Sequence, residues 1–253
     1  MSQHSYLNYR MAGDGHPVIF LHGFLESITM WSQLDLESLP FKSVLIDLPG
    51  HGLSPLTDDS SIPSLDFYAQ EVKKLLVDLH ISYYHVVGHS MGGYVALKLK
   101  EFDSCCKKVV LLNSNFWEDE PGKKQDRVRV ADVALKAKSL FVNEAIPGLF
   151  YRHNRTNAFI KDLTTEAKKI DGVAIAYASL AMRNRSNKRE LLLANPNDFL
   201  IIQGENDPLI SPKKMQRELI NSNVELLLFH QSGHMAHYEE PKRVAKILSD
   251  FLK

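Results

Sequence analysis

The segment GHSMGG, residues 88–93, places a serine between glycines, directly after an apolar run and directly before a helical pattern. A serine hydroxyl can attack a carbonyl only where it protrudes toward both substrate and base. A sharp turn from strand to helix achieves this, at the cost of a strained serine backbone. Gly88 and Gly92 remove side chains that would collide in such a turn. We therefore predict that Ser90 is a nucleophile and that the amide of Met91, at the helix start, stabilises the oxyanion.

A serine nucleophile needs a base and an acid that orients the base. His234 follows the last apolar run and precedes the last helical pattern, where an α/β sheet delivers residues to its active edge. His237 is the nearest rival, but it falls on the helical turn beyond. For the acid, Glu205 and Asp207 both follow the apolar run 199–202. We favour Asp207, because the chain must leave the strand before a carboxylate can turn toward His234.

Two further loops follow apolar runs near the N-terminus. His22-Gly23-Phe24 stands where a second oxyanion donor is expected, and we assign that role to the amide of Phe24. His22 itself is interpreted as a structural histidine that holds the loop. In the loop 47–54 we expect Asp47 and His51 to organise a tight turn and to take no part in the triad.

The elements that must position these residues follow from the hydrophobic pattern. Short, almost continuously apolar runs indicate strands that are covered on both faces. They are residues 17–21, 44–48, 85–88, 109–112, 199–202 and 224–229. Helical patterns lie between them, and strands that alternate with helices imply right-handed crossovers and a mostly parallel sheet. The sequence therefore predicts an α/β fold.

One stretch, residues 116–190, interrupts the alternation. It contains helical segments, 127–141 and 161–180, and no convincing strand. It begins at the carboxyl end of one predicted strand, and ligands bind at that edge of open α/β sheets. We therefore predict a core formed by residues 1–115 and 191–253, with 116–190 as a helical lid over the site.

The predicted lid is basic. Fifteen of the 30 Lys and Arg residues lie in it against ten Asp and Glu, so it carries about +5 and the rest about −5. Solvated lysines and arginines explain most of this charge. A sharper hypothesis is that Arg127, Arg152 and Arg183 point inward and bind an anionic group of the substrate, as an arginine fork does.

Composition excludes several other classes of function. Thirty basic residues balance thirty acidic ones, so no global field suggests nucleic acid or an anionic membrane as partner. No apolar run approaches the roughly 20 residues that span a bilayer, and the polar N-terminus lacks the core of a secretory signal. Cys105 and Cys106 are adjacent, a spacing that suits neither a disulfide framework nor a metal site. We expect a cytoplasmic protein without metal or organic cofactor.

The motifs HGF, DLPGHGLS, GHSMGGYVAL, GENDPL and SGHMAHYEEP together resemble the α/β-hydrolase superfamily in order and spacing, over residues 17–113 and 199–253. The resemblance implies a mostly parallel sheet with helices on both faces and a helical lid after the sixth core strand. It also implies the chain order Ser90, Asp207, His234 for the triad. An aspartate nucleophile marks the haloalkane dehalogenases and epoxide hydrolases of this superfamily, and Ser90 argues against both.

The chain is similar to small carboxylesterases, to hydrolases of carbon–carbon bonds in aromatic-ring degradation, and to the lyase of menaquinone synthesis. That lyase carries an arginine after the glycines of the turn, where this chain has Tyr94. We therefore expect a serine hydrolase that cleaves a carboxylic ester through an acyl-enzyme at Ser90, with His234 as general base and Asp207 orienting it. The alternatives are carbon–carbon or thioester cleavage or acyl transfer by the same triad, and, less favoured, a ligand receptor with little turnover.

Overall fold

The computed structural model describes residues 5–57, 62–151 and 157–253. Within these residues the strands form one sheet in the order β1-β3-β2-β4-β5-β6-β7, in which only the β1–β3 pair is antiparallel. The strands are β1 Tyr9–Ala12, β2 Pro17–Leu21, β3 Lys42–Ile46, β4 Tyr84–His89, β5 Cys106–Leu112, β6 Phe199–Gly204 and β7 Glu225–Phe229. The prediction of a mostly parallel sheet is confirmed.

Helices connect the parallel strands. They are α1 Leu65–Asp78, α2 Met91–Phe102, α3 Pro121–Ala145, α4 Ala158–Lys169, α5 Gly172–Arg183, α6 Arg189–Ala194, α7 Pro212–Glu218, α8 Ala236–Glu239 and α9 Pro241–Phe251. Short 3-10 turns occupy Ile28–Gln33, Leu36–Ser38, Pro147–Leu149 and Pro196–Asp198. The stripe of apolar residues on α1 packs toward the sheet, and Ser64 caps its first turn by accepting the amide of Phe67.

The sheet is buried on both faces, which explains why its strands read as continuous apolar runs. Along β2, Ile19 and Leu21 belong to one hydrophobic cluster, whereas Val18 and Phe20 belong to the other. The alternation follows from the two-residue period of a strand, which sends successive side chains to opposite faces. One cluster lies under α1 and α2, and the other under α9 and part of the segment 116–190.

The chain reverses direction across the sheet between β2 and β4. From β2 it steps outward to β3, and then it crosses back to build β4 and the remaining strands on the other side. A crevice opens at such a switch point at the carboxyl ends of the two diverging strands. The loops that follow β2 and β4 carry Phe24 and Ser90, so the topology brings these two predicted residues together.

The structure corrects three expectations. Strand β1 was missed, because three of its four residues are exposed and give no apolar run. Residues 161–180 are not one helix but parts of α4 and α5. The break lies at Asp171, whose side chain caps α5 by accepting the amide of Val173 at 2.7 Å. The segment 116–190 follows the fifth strand and not the sixth, because a single strand precedes β2 in the described residues.

Candidate active site

Ser90 forms the turn between β4 and α2. Its backbone lies at φ 48°, ψ −113°, a region that costs a non-glycine residue about 1–3 kcal/mol. Two hydrogen bonds hold the backbone of this turn in place. The amide of Ser90 donates to the carbonyl of Leu112 at 3.1 Å, and the hydroxyl of Ser114 donates to the carbonyl of Ser90 at 2.7 Å. Ser90 is half-buried, so its hydroxyl stays accessible on an otherwise fixed support.

The glycines of the motif are required by close backbone approach. A Cβ atom on Gly92 would lie 2.2 Å from the carbonyl oxygen of Leu21, and one on Gly88 would lie 2.5 Å from the carbonyl oxygen of Gly92. Neither position can hold a side chain unless the backbone moves. The end of β2 therefore presses directly on the first turn of α2.

The three residues predicted as a triad lie within hydrogen-bond reach of one another. The hydroxyl of Ser90 lies 2.9 Å from Nε2 of His234, and Nδ1 of His234 lies 2.8 Å from Oδ2 of Asp207. His234 and Asp207 are buried. With Nδ1–H donating to the carboxylate, Nε2 is free to accept the serine proton. The arrangement has the geometry of a nucleophile, a base and an orienting acid.

The Asp207 carboxylate is surrounded by donors. Its Oδ1 accepts the amides of Leu209 and Ile210 at 2.8 and 3.0 Å, and its Oδ2 accepts the side-chain amides of Asn113 and Gln203 at 3.1 and 3.0 Å. Burial alone would raise the pKa of Asp207, but His234 and these donors hold it below its usual range. Asp207 is therefore ionised when it faces the imidazole.

Neither rival for these two roles makes the hydrogen bond that the role requires. Glu205 pairs with Nδ1 of the exposed His230 at 2.7 Å. His237 lies on α8, fully buried, and its two ring nitrogens have no partner among the described residues. Burial lowers the pKa of His237 well below its ordinary value, so the ring is neutral.

The two predicted oxyanion donors lie on neighbouring loops. Met91 is the first residue of α2, so its amide lacks an intrahelical acceptor. Phe24 is half-buried and belongs to the loop that follows β2. Because β2 and β4 are adjacent parallel strands at the switch point, the loop with Phe24 and the turn with Ser90 and Met91 follow the same carboxyl edge of the sheet.

The loops after β2 and β3 support each other, as the sequence suggested for His22, Asp47 and His51. Nε2 of His22 accepts the amide of Leu48 at 2.9 Å, so Nδ1–H donates to the carbonyl of Gly23 at 2.8 Å. The Asp47 carboxylate accepts the amide of Leu53, and the ring of His51 lies 5.2 Å from that of His22.

The segment 116–190 contacts the loop that carries Gly233 and His234, here called the base loop after the role predicted for His234. The amide of His234 donates to the carbonyl of Leu149 at 2.7 Å. The carboxylate of Glu239 accepts the amides of Gly233 and Tyr151, both at 2.7 Å, and so joins the base loop to this segment. A Cβ atom on Gly233 would lie 2.7 Å from the carbonyl of Leu149, which explains the glycine before the histidine.

Two of the three arginines that were predicted to bind substrate lie in the described residues and donate hydrogen bonds to neighbouring side chains. Nε of Arg127 donates to Asp119 at 3.1 Å, and Nη1 of Arg183 donates to the side chain of Asn184 at 3.2 Å. Arg152 lies outside the described residues. A role for these arginines in binding an anionic group stays a prediction.

Sequence reasoning missed a buried arginine at the base of this segment. Arg185 donates to Asp119 at 2.6 Å, and its guanidinium lies 4.2 Å from the ring centre of Tyr94. The pair ties the chain after α5 to the chain before α3. No local sequence pattern could have found Arg185, because its partner Asp119 lies 66 positions away in the chain.

Across residues 5–57, 62–151 and 157–253, no helix has the length and apolar character needed to cross a membrane. In the same ranges, no three His, Cys, Asp or Glu side chains come together as the ligands of a metal would.

Comparison with known proteins places this geometry in context. The model of the alpha/beta hydrolase family matches residues 18–247. A 2-succinyl-6-hydroxy-2,4-cyclohexadiene-1-carboxylate synthase from Enterobacter sp. (strain 638) is 25% identical over 96% of this chain and 95% of its own. A 2-hydroxymuconate semialdehyde hydrolase from Pseudomonas sp. (strain CF600) is 25% identical over 97% of this chain and 89% of its own.

Among solved structures, a thermophilic esterase from Thermogutta terrifontis superimposes with a TM-score of 0.87. It is 25% identical in sequence, and the alignment covers 97% of this chain and 92% of the esterase. The likeness thus extends over the core and over the segment 116–190.

Proposed function

The chain belongs to the alpha/beta hydrolase family and is an enzyme of that fold, and on this premise we propose that it cleaves a carboxylic ester through an acyl-enzyme on Ser90. The observation that carries the proposal is the relay from Ser90 through His234 to Asp207, with separations of 2.9 and 2.8 Å. The strained backbone of Ser90 at the carboxyl edge of the sheet supports the proposal. Such strain is found mainly at functional sites, where the surrounding structure holds the residue in place.

In the proposed reaction His234 acts first as base and then as acid. Nε2 takes the proton of the Ser90 hydroxyl as the oxygen attacks the ester carbonyl, and Asp207 stabilises the imidazolium that forms. The amides of Phe24 and Met91 donate to the tetrahedral oxyanion. The imidazolium returns the proton to the leaving alcohol, and water activated by His234 then hydrolyses the acyl-enzyme.

We propose that residues 116–190 form a lid that sets substrate specificity. The support is the bond from His234 to Leu149 and the Glu239 bridge, because both fix this segment against the base loop. The Thermogutta terrifontis neighbour is an esterase, and this favours ester cleavage over the other reactions that the same triad could perform. Thioester cleavage, carbon–carbon cleavage and acyl transfer remain alternatives, since each needs the same nucleophile and oxyanion donors.

The test is turnover of p-nitrophenyl esters of increasing acyl length, in parallel with a thioester and a vinylogous diketone, for the wild type and for Ser90→Ala. We expect the wild type to hydrolyse short esters with saturation. Ser90→Ala should retain only the activity of binding and the oxyanion donors, about 10³- to 10⁴-fold over water. If the thioester or the diketone is turned over faster than the esters, thioester or carbon–carbon cleavage would replace ester cleavage as the proposed reaction. Equal rates for the variant and the wild type would refute a serine mechanism.

A further inference from the structure

Two buried titratable side chains beside the relay have no part in the proposed reaction. Glu26 is 3% exposed and His89 is fully buried. Nδ1 of His89 lies 2.9 Å from Oε2 of Glu26, and Nε2 of His89 lies 2.9 Å from the carbonyl oxygen of His234. The rings of His89 and His234 have their centres 5.0 Å apart. The pair therefore lies directly behind the base.

The partners of His89 define its charge. A carbonyl oxygen can only accept, so Nε2 must carry a hydrogen. Oε2 of Glu26 already accepts the amide of Gly23 at 2.6 Å, and a donated hydrogen bond favours the ionised carboxylate. The remaining proton then belongs on Nδ1. Burial alone would lower the pKa of His89 and raise that of Glu26, but their attraction reverses both shifts.

The same pair joins the three loops that carry the reaction. Gly23 precedes Phe24, whose amide is proposed to donate to the oxyanion. His89 precedes Ser90 in the chain. His234 is held through its own carbonyl, so its ring position depends on the same bond. A Cβ atom on Gly23 would lie 2.5 Å from Oε2 of Glu26 and 2.8 Å from Nδ1 of His89, so only glycine allows this contact.

We propose that Glu26 and a doubly protonated His89 form a buried ion pair. This pair positions the loop of Phe24, the turn at Ser90 and the loop of His234 relative to one another. Both are positioning residues, since neither touches substrate. This inference rests on the proposed function for the meaning of the three loops, and it adds two residues to the machinery of that site.

The surroundings of His89 are consistent with a single positive charge there. His237 packs against it with ring centres 4.8 Å apart and is neutral, because burial lowers its pKa well below the ordinary value. His22 is also buried with a lowered pKa. Asp207 and Glu26 supply the negative charge that faces this group. The ionised Glu26 therefore offsets the repulsion that His89 would exert on the imidazolium of His234.

The kinetic test compares Glu26→Gln with a matched break of a buried ion pair elsewhere, Asp103→Asn. The Asp103 carboxylate is buried and bonds to Lys73 at 2.7 Å and to the hydroxyl of Tyr84 at 2.6 Å, outside the site. We expect kcat of Glu26→Gln to fall about 10- to 100-fold with KM changed less than about threefold, because small misplacement of catalytic groups has effects of this size. Asp103→Asn should keep the wild-type kcat. Equal kcat values in the two variants would overturn the proposal.

A second measurement reads the charge directly and needs no variant to fold. Nitrogen-15 NMR of ring-labelled histidine at pH 7.5, with His89 assigned through its own backbone, should show both ring nitrogens protonated. In a folded Glu26→Gln protein this signature should disappear. A neutral His89 in the wild type would overturn the ion pair. Because this reading does not depend on turnover, it remains decisive even if the protein hydrolyses no ester and the proposed function fails.

Discussion

At the scale of single residues, Asp207, the proposed orienting acid, differs from the neighbouring Glu205 in its hydrogen bonds. The Asp207 carboxylate accepts hydrogen bonds from the ring of His234, from two backbone amides and from two side-chain amides. Glu205 instead pairs with the exposed His230. A buried carboxylate with this many donors fixes both the tautomer and the direction of the imidazole.

We predict that Asp207→Asn lowers kcat of ester hydrolysis by about 10³- to 10⁴-fold, because the wrong tautomer of His234 would face Ser90. Glu205→Gln is the matched control and should stay within about threefold of the wild type. Steady-state kinetics of the two variants decide the matter. The reverse ranking would assign the acid to Glu205.

A histidine base also predicts one acidic limb in the pH–rate profile. The base must be neutral to accept a proton, and free histidine titrates near about 6.5. The pKa of Asp207 is held below its usual range, so this carboxylate stays ionised throughout the limb. The logarithm of kcat/KM should therefore fall with a slope of one proton as the pH is lowered. A flat profile down to pH 5, with the protein still folded, would contradict a histidine base.

The residues proposed to react could be proposed from the sequence because local motifs mark them. Ser90 lies in a turn signature, and His234 and Asp207 follow strands at the same sheet edge. The residues that hold Asp207 in place could not be predicted from the sequence. Asn113 and Gln203 give no local signal, because what defines them is a bond to Asp207, which for Asn113 is 94 positions away in the chain.

At the scale of elements, the contact between the end of β2 and the start of α2 sets the site. Gly92 is the point of closest approach, and a Cβ atom there would overlap the carbonyl of Leu21. The six strands of the parallel part were predictable from apolar runs. The kink of α3 at Ala137 could not be predicted, because no residue near it in the sequence marks a break in the helix.

We predict that Gly92→Ala destabilises the protein by at least about 2 kcal/mol, since overpacking against backbone leaves no side chain to move aside. Gly122→Ala is the control, because a Cβ atom there meets nothing within 4 Å in the first turn of α3, and alanine favours a helix. Urea unfolding of the two variants measures the difference. Equal stability of the two would contradict the close approach.

At the scale of the whole molecule, buried titratable groups make stability depend on pH. The pKa values of Glu26, Asp103, Asp119 and Asp207 are lowered in the folded state. Their stabilisation is present above the unfolded values of about 4 and is lost as the pH falls through the folded ones. Burial also lowers the pKa of His51 to about 3 and of His85 to about 4, so protonation of these rings favours unfolding below about pH 6.5.

We predict that the free energy of unfolding falls on acidification in two stages, one below about pH 6.5 from the histidines and one below about pH 4 from the carboxylates. Urea unfolding between pH 7.5 and 3.5 measures it. His85→Gln should make the first stage shallower, because it removes one of the contributing histidines, while replacement of the exposed His230 by Gln should leave it unchanged. A constant stability between pH 7 and 5 would contradict the account.

The overall fold could be predicted because the motifs that mark it are spread along most of the chain, whereas the packing within residues 116–190 could not be predicted. The net charge of residues 116–190 was visible in the sequence. The partners of its arginines were not visible in the sequence, because Arg127 and Arg185 come together at Asp119 only when the helices pack.

Covalent labelling with a fluorophosphonate, followed by intact mass and peptide mapping, tests directly whether Ser90 is the nucleophile. We predict one adduct per chain, on Ser90, because this hydroxyl lies 2.9 Å from Nε2 of His234, whose Nδ1 lies 2.8 Å from Asp207. Asp207→Asn should be labelled far more slowly than the wild type, and Ser90→Ala should not be labelled. An adduct on another serine, or labelling of Ser90→Ala at the wild-type rate, would contradict the claim.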